Sequence, residues 1–256
     1  ELLGAHGGLH QKWFTLYDEA TRVPFSVVRV GAGTGASTTA RTVDALTSHV
    51  DVVPTLLAAA GIDRDAVERR LADTFTEVHP LPGRDLMPVV DGRAEPDRER
   101  TVYLMTRDNI LEGDTGASAV ARALGLAADP PPDMRIRVPA GVGANFEGIV
   151  ADLDGGRWKL ARTFDDPATW TEPHVRHLAA DGEQGPQYRS RPLDDEWELY
   201  DLTADPIEAD NRWRDPSVAA VAARLVALLE AERGRCIPPR NDAWPYAVRS
   251  AIRSGA

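Results

Sequence analysis

The sequence predicts an α/β chain that closes on a smaller unit of antiparallel strands and one terminal helix, and three observations carry that prediction. Phe25 to Val30 is an apolar run rich in β-branched residues, of the kind that forms a buried strand, and helices with legible start signals follow it. Beyond residue 101 the hydrophobic period changes from that of helices to that of strands. The last strong element is again a helix, so several strands end under a single amphipathic cover.

Taken in order, the chain opens on Gly4-Ala5-His6-Gly7-Gly8, after which Leu9, Trp13, Leu16 and Tyr17 recur at helical spacing. That spacing predicts a short amphipathic helix from Leu9 to Ala20, ended by Pro24. The loop Gly31 to Ser37 lacks the Gly-Lys-Ser/Thr ending that would cradle nucleotide phosphates and reads as a surface loop. Ser48 with Asp51 three residues on is an acidic relative of the capping box, and it starts a helix expected to bury Val53, Leu56, Leu57 and Ala60 before Gly61 closes it. Pro54 either kinks this helix or marks its first turn. A charged helix from Arg64 to Phe75 follows, and the turn-rich, acidic residues 76–101 cross to the second unit.

In that unit Val102–Thr106 reads as a strand, Phe146–Leu153 and Arg157–Phe164 as a hairpin turning at Asp154-Gly155-Gly156, and Trp197–Leu202 as a further strand. Asp215 is the expected N-cap of the terminal helix, with Pro216 in its first position. Val218, Val221, Ala222, Leu225, Val226 and Leu229 line one face, and Gly234 follows the end. Ala127–Pro132 and Ala180–Pro192 read as long loops, and there is no internal repeat.

With 256 residues, 43% of them hydrophobic, the chain has enough apolar surface for a real core. Its net charge of −11 argues against nucleic acid and anionic membranes as partners. Cys236 is the only cysteine, which excludes an internal disulfide, and no run of about eighteen apolar residues suggests a membrane span.

Four stretches point to chemistry together. They are Gly4-Ala5-His6-Gly7-Gly8-Leu9-His10-Gln11-Lys12-Trp13 running into Tyr17-Asp18-Glu19-Ala20-Thr21-Arg22-Val23-Pro24; Ser48-His49-Val50-Asp51-Val52-Val53-Pro54-Thr55-Leu56-Leu57; Leu81-Pro82-Gly83-Arg84-Asp85-Leu86; and Glu198-Leu199-Tyr200-Asp201-Leu202 with Asp205-Pro206-Ile207-Glu208-Ala209-Asp210-Asn211. Each is weak alone, but the ordered set resembles the C-terminal part of the sulfatases of the alkaline-phosphatase superfamily.

The resemblance implies an alkaline-phosphatase-like α/β fold. Residues 1–95 would be the closing part of the catalytic domain, with an incomplete portion of its parallel sheet, and residues 96–256 a small C-terminal α+β subdomain. It implies sulfuric ester hydrolysis through a formylglycine nucleophile and one divalent metal, calcium, acting on a small-molecule or sugar sulfate ester. Lys12 matches the lysine that contacts the sulfate and helps the leaving oxygen depart. His6 and His10 flank it, and either orient substrate and donate a proton or only hydrogen-bond the loop. Their spacing fits no compact His/Glu zinc motif, so no metal ligand is assigned in this chain. The metal-binding pair and the nucleophile of the family pattern are expected before Glu1, so the chain is expected to be a fragment without a legible leader, inactive on its own. Asp18, Glu19 and Arg22 are expected to lock their loop to the sheet rather than touch substrate. His49 and Asp51 read as helix-start residues rather than an acid/base pair.

Cys236-Ile237-Pro238-Pro239-Arg240 satisfies the Cys-x-Pro-x-Arg core of the formylglycine signature. It follows the last helix instead of opening one, and is read as coincidence. The alternatives are a phosphodiesterase or phosphonate monoester hydrolase of the same superfamily, or a non-catalytic pseudoenzyme or subunit.

Overall fold

The computed structural model describes residues 2–9, 15–28, 41–75, 78–107, 145–164 and 194–237. His10, Lys12, the loop Gly31–Ser37 and the loops Ala127–Pro132 and Ala180–Pro192 lie outside the described residues.

The N-terminal half contributes short helices. α1 (Ala5–Gly8) is a distorted turn in which His6 and Gly7 are left-handed, and α2 (Asp18–Thr21) is a single turn. The predicted helix from Leu9 to Ala20 is therefore corrected, because residues 15–17 are not helical. Leu16 instead packs against Phe146 and Ala161 of the sheet, so tertiary contact overrides the helical spacing. Residues 22–28 form no strand and are exposed, Val28 at 80%, which corrects the buried strand predicted at Phe25. A β-branched run becomes a strand only where another strand pairs with it, and among the described residues none does.

A 3₁₀ turn (His49–Asp51) leads into α3 (Val52–Ala59), then come α4 (Arg64–Ala72) and α5 (Met87–Val90). Pro54 lies in the first turn of α3, where its missing N–H costs nothing. The burial of α3 reverses the expected face: Pro54 and Thr55 are buried, while Val53 and Leu56 are 49% and 63% exposed. Its inner side faces a polar strap, residues 81–86, rather than an apolar core, and the Thr55 hydroxyl meets that strap by accepting from Leu86 N–H at 3.0 Å.

The sheet follows. β1 (Thr101–Arg107), β2 (Asn145–Leu153), β3 (Gly156–Phe164) and β4 (Glu196–Asp201) lie in that order, every neighbouring pair antiparallel. Among the described residues no parallel pair occurs. The hairpin turns on Asp154 and Gly155, with φ of 52° and 84°, the left-handed pair that matches the twist of two-residue hairpins. Gly156 already belongs to β3. Register aligns Tyr103, Ile149, Leu160 and Leu199 on one face, and Val102, Val150, Lys159 and Tyr200 on the other.

The first face is covered by α6 (Ala219–Cys236), preceded by a 3₁₀ turn at Pro216–Val218 whose N-cap Asp215 accepts from Ser217 N–H at 2.8 Å. Val218, Ala222, Leu225 and Leu229 pack on Ile149, Ala151, Leu153, Trp158, Leu160 and Leu199. α6 continues through Gly234, expected beyond its end, because its last turn is tied down from outside. Arg233 bonds Glu147, and Arg235 donates to the Pro82 carbonyl at 2.9 Å.

Candidate functional site

The second sheet face carries the segment that follows Lys12. Leu16, Tyr17 and Asp18 lie across β2, β3 and β4, and the contact is centred on a buried cation. Lys159 projects from β3 and donates to the Leu16 carbonyl at 3.1 Å and to the Asp18 carboxylate, and it lies 2.9 Å from Oε1 of Glu208. Glu208 Oε2 in turn accepts from the backbone N–H of Asp18 at 2.5 Å. Asp18 thus locks its loop to the sheet, as expected. Glu19 has a different partner, because it holds His6. Arg22 stays exposed and reaches only to 3.7 Å from Asp18.

His6 belongs to the same cluster. Its ring stacks on Tyr17 with centroids 3.6 Å apart and planes 4° from parallel, and Nε2 lies 3.2 Å from Glu19. The Tyr17 and Tyr200 rings lie with centroids 6.0 Å apart, tilted by 54°. Burial pushes the Tyr200 hydroxyl up, and the neighbouring Tyr17 and Glu198 add to the rise. Burial also raises the carboxyls of Glu198 and Glu208; for Glu198 the nearby Glu208 and Glu196 add to the effect, and for Glu208 the Lys159 ammonium opposes it. Lys159 is buried and paired with Asp18 and Glu208, so its charge is already committed within the fold. The expected roles of His10 and Lys12 fall on residues outside the described ones.

A second polar hub joins two of the other motifs. Asp51 is fully buried, and its Oδ2 accepts from Ser48 N–H at 2.8 Å and from Arg100 at 2.6 Å, while Oδ1 accepts from Arg84 N–H at 2.9 Å. His49 is exposed, so the two do not form an acid/base pair. Arg64 on α4 reinforces the strap by donating to the Leu81 carbonyl at 2.7 Å and the Gly83 carbonyl at 3.3 Å.

Cys236 is the last residue of α6. Burial raises its thiol, and Glu232 accepts from it at 3.6 Å. A helix C-terminus also disfavours a thiolate, so the residue is not prepared as a nucleophile. Among the described residues no group of three or more His, Cys, Asp or Glu side chains could hold a metal. No ligand for the calcium that the resemblance implies is assigned among them.

Sequence reasoning missed Lys159, Glu198 and Tyr200 as a cluster. Alternation along β3 gave no signal, because Lys159 stands between Arg157 and Ala161 on the face away from α6, where a lysine reads as solvent-facing.

No family model matches the chain, and no curated protein matches it. Solved structures do resemble it. One is the phosphonate monoester hydrolase of Agrobacterium radiobacter, 20% identical with a TM-score of 0.37, covering 76% of this chain and 26% of its own. Another is a protein in complex with its substrate D-glucosamine-2-N,6-O-disulfate, 18% identical with a TM-score of 0.37, covering 77% of this chain and 27% of its own. The chain spans about a quarter of the length of these structures.

Proposed function

We propose that this chain contributes to ester hydrolysis of the sulfatase type, with Lys12 contacting the anionic group of a small-molecule or sugar sulfate ester and His6 and His10 beside it. The observation that carries this reading is the clamp on Asp18. Two motifs of the ordered set, Tyr17-Asp18-Glu19 and Asp205-Pro206-Ile207-Glu208, meet at Lys159, and the segment they fix follows directly on Lys12. Fixed cations and proton donors lower the barrier to ester cleavage only when held in place before the charge develops. His6 is held in this way by Tyr17 and Glu19, in reach of the same segment. A divalent metal, with no ligand assigned in this chain, would supply further charge stabilisation.

The test is hydrolysis of an aryl sulfate in calcium-containing buffer by the chain, by Lys12→Ala and by Cys236→Ala, with a phosphonate monoester and a phosphodiester assayed in parallel. The reading expects the Lys12 substitution to reduce turnover, or inorganic sulfate binding where turnover is undetectable, by about a hundredfold. Cys236→Ala is expected to behave as wild type. Preference for the phosphonate or the diester would move the assignment to the neighbouring hydrolase class, and indifference to Lys12→Ala would end it.

A further inference from the structure

The geometry points to Lys159 as the positioning residue of the site, a buried ammonium that sets where the Lys12 segment lies by binding Leu16, Asp18 and Glu208 at once; this rests on the reading of Lys12 given above. Lys159 Nζ donates to Leu16 and Asp18 and makes an ion pair with Glu208 Oε1 at 2.9 Å, so it joins two segments remote in sequence. Its side chain is 1% exposed and the Glu208 side chain 0%. Burying such a pair is expensive, and an apolar side chain would commonly pack at least as stably in its place. What an apolar side chain cannot do is choose one register for a loop.

Leu16 comes four positions after Lys12 in the sequence, and its carbonyl is fixed on Lys159. Two further features converge on the same cluster. Glu208 and His6 both hold left-handed backbone conformations, with φ of 53° and 49°, that non-glycine residues adopt only where their surroundings dictate them. Glu208 spans the junction, with one carboxylate oxygen on Lys159 and the other on the Asp18 N–H. Release of Lys159 would therefore free Asp18 at two points, through its side chain and through its backbone.

The experiment compares the full chain with Lys159→Met and with Asp18→Asn. The first leaves two carboxylates unpaired. The second keeps the shape and one acceptor oxygen on a side chain that is 23% exposed, so it is the milder change. Amide hydrogen exchange of residues 15–21 is measured against that of β2 and β3, together with the rate of tryptic cleavage after Lys12 mapped by mass spectrometry. Positioning predicts that both variants lose protection over 15–21 by about tenfold, and are cut after Lys12 about tenfold faster, while the strands stay within about twofold of wild type. A purely stabilising role would lower protection in the strands and the segment together. Unchanged exchange and cleavage in Asp18→Asn, or uniform loosening in both variants, would overturn the proposal. The outcome is independent of turnover: loosened 15–21 with no effect of Lys12→Ala on hydrolysis would sink the functional reading and leave the positioning role standing.

Discussion

Gly83 is the position where a single methyl group should do the most damage. A Cβ added there would sit 1.9 Å from the Val50 carbonyl oxygen, 2.4 Å from its carbon and 2.8 Å from the Asp51 nitrogen, all backbone atoms with no rotamer to yield. Ordinary contact begins at 3.4 Å, so the strap must retreat by about 1.5 Å. The next residue donates its N–H to buried Asp51 at 2.9 Å, and that bond cannot survive such a retreat. Overpacking costs about 1–3 kcal/mol, and a lost hydrogen bond to a charged group about 1.5–3, so Gly83→Ala should lose about 3–5 kcal/mol. For a chain of this size that lowers Tm by roughly 10 °C. Gly155→Ala is the control, because Gly155 has φ of 84° with nothing within 4 Å of an added Cβ. It incurs only backbone strain, about 1–2 kcal/mol. Thermal and urea unfolding of the two variants side by side decide the matter. Were Gly83→Ala as stable as Gly155→Ala, the packing of the strap against the 49–51 turn would be wrong as described.

Leu225→Ala removes a side chain with no exposure from the centre of the α6 interface and should cost about 2–5 kcal/mol in urea denaturation; less than 1 would mean that α6 does not close this core. Glu198 titrates above the ordinary glutamate range in the folded chain, so the native state keeps its proton to higher pH than the unfolded state. Its contribution is therefore most favourable below the unfolded value and declines as pH rises through the native one. Glu198→Gln should consequently gain stability relative to wild type as pH is raised from ~4 to ~7, read from paired urea titrations. A difference that is flat or narrows with pH would contradict the burial of that carboxyl.

The sheet and its cover were legible because their signals are local. Asp154-Gly155 specifies the hairpin, alternation specifies each strand, and Asp215-Pro216 specifies the start of the last helix. The first half was less legible, and for a common reason. Leu16 and Tyr17 carry helical spacing but answer to β2, β3 and β4, and Phe25 to Val28 carry strand composition with no strand beside them among the described residues. α3 was located correctly and its face was not, since the partner of Thr55 is a polar strap about thirty residues away and hydrophobic periodicity registers only apolar partners. Lys159 shows the same blind spot: a lysine in a strand reads as solvent-facing until two remote carboxylates are brought to it.

The four stretches that stood out in the sequence prove to be two pairs of interlocking parts. Ser48 and Asp51 close on Arg84 and on the backbone around Gly83, and Asp18 closes on Glu208 through Lys159. Each pair joins segments well separated in the chain, so neither partner can change without stranding the other. Most of these residues consequently specify the scaffold rather than the ester. Asp51 is committed to Ser48, Arg84 and Arg100, Lys159 to Leu16, Asp18 and Glu208, and Cys236 to a helix end where burial raises its thiol. Substitution within either pair should therefore loosen geometry for any ester tested, whereas Lys12→Ala should act on the anionic group itself. That contrast can be read from relative rates on sulfate and phosphonate substrates: equal proportional losses mark a scaffold residue, and a loss graded with the charge of the transferred group marks a residue that touches it.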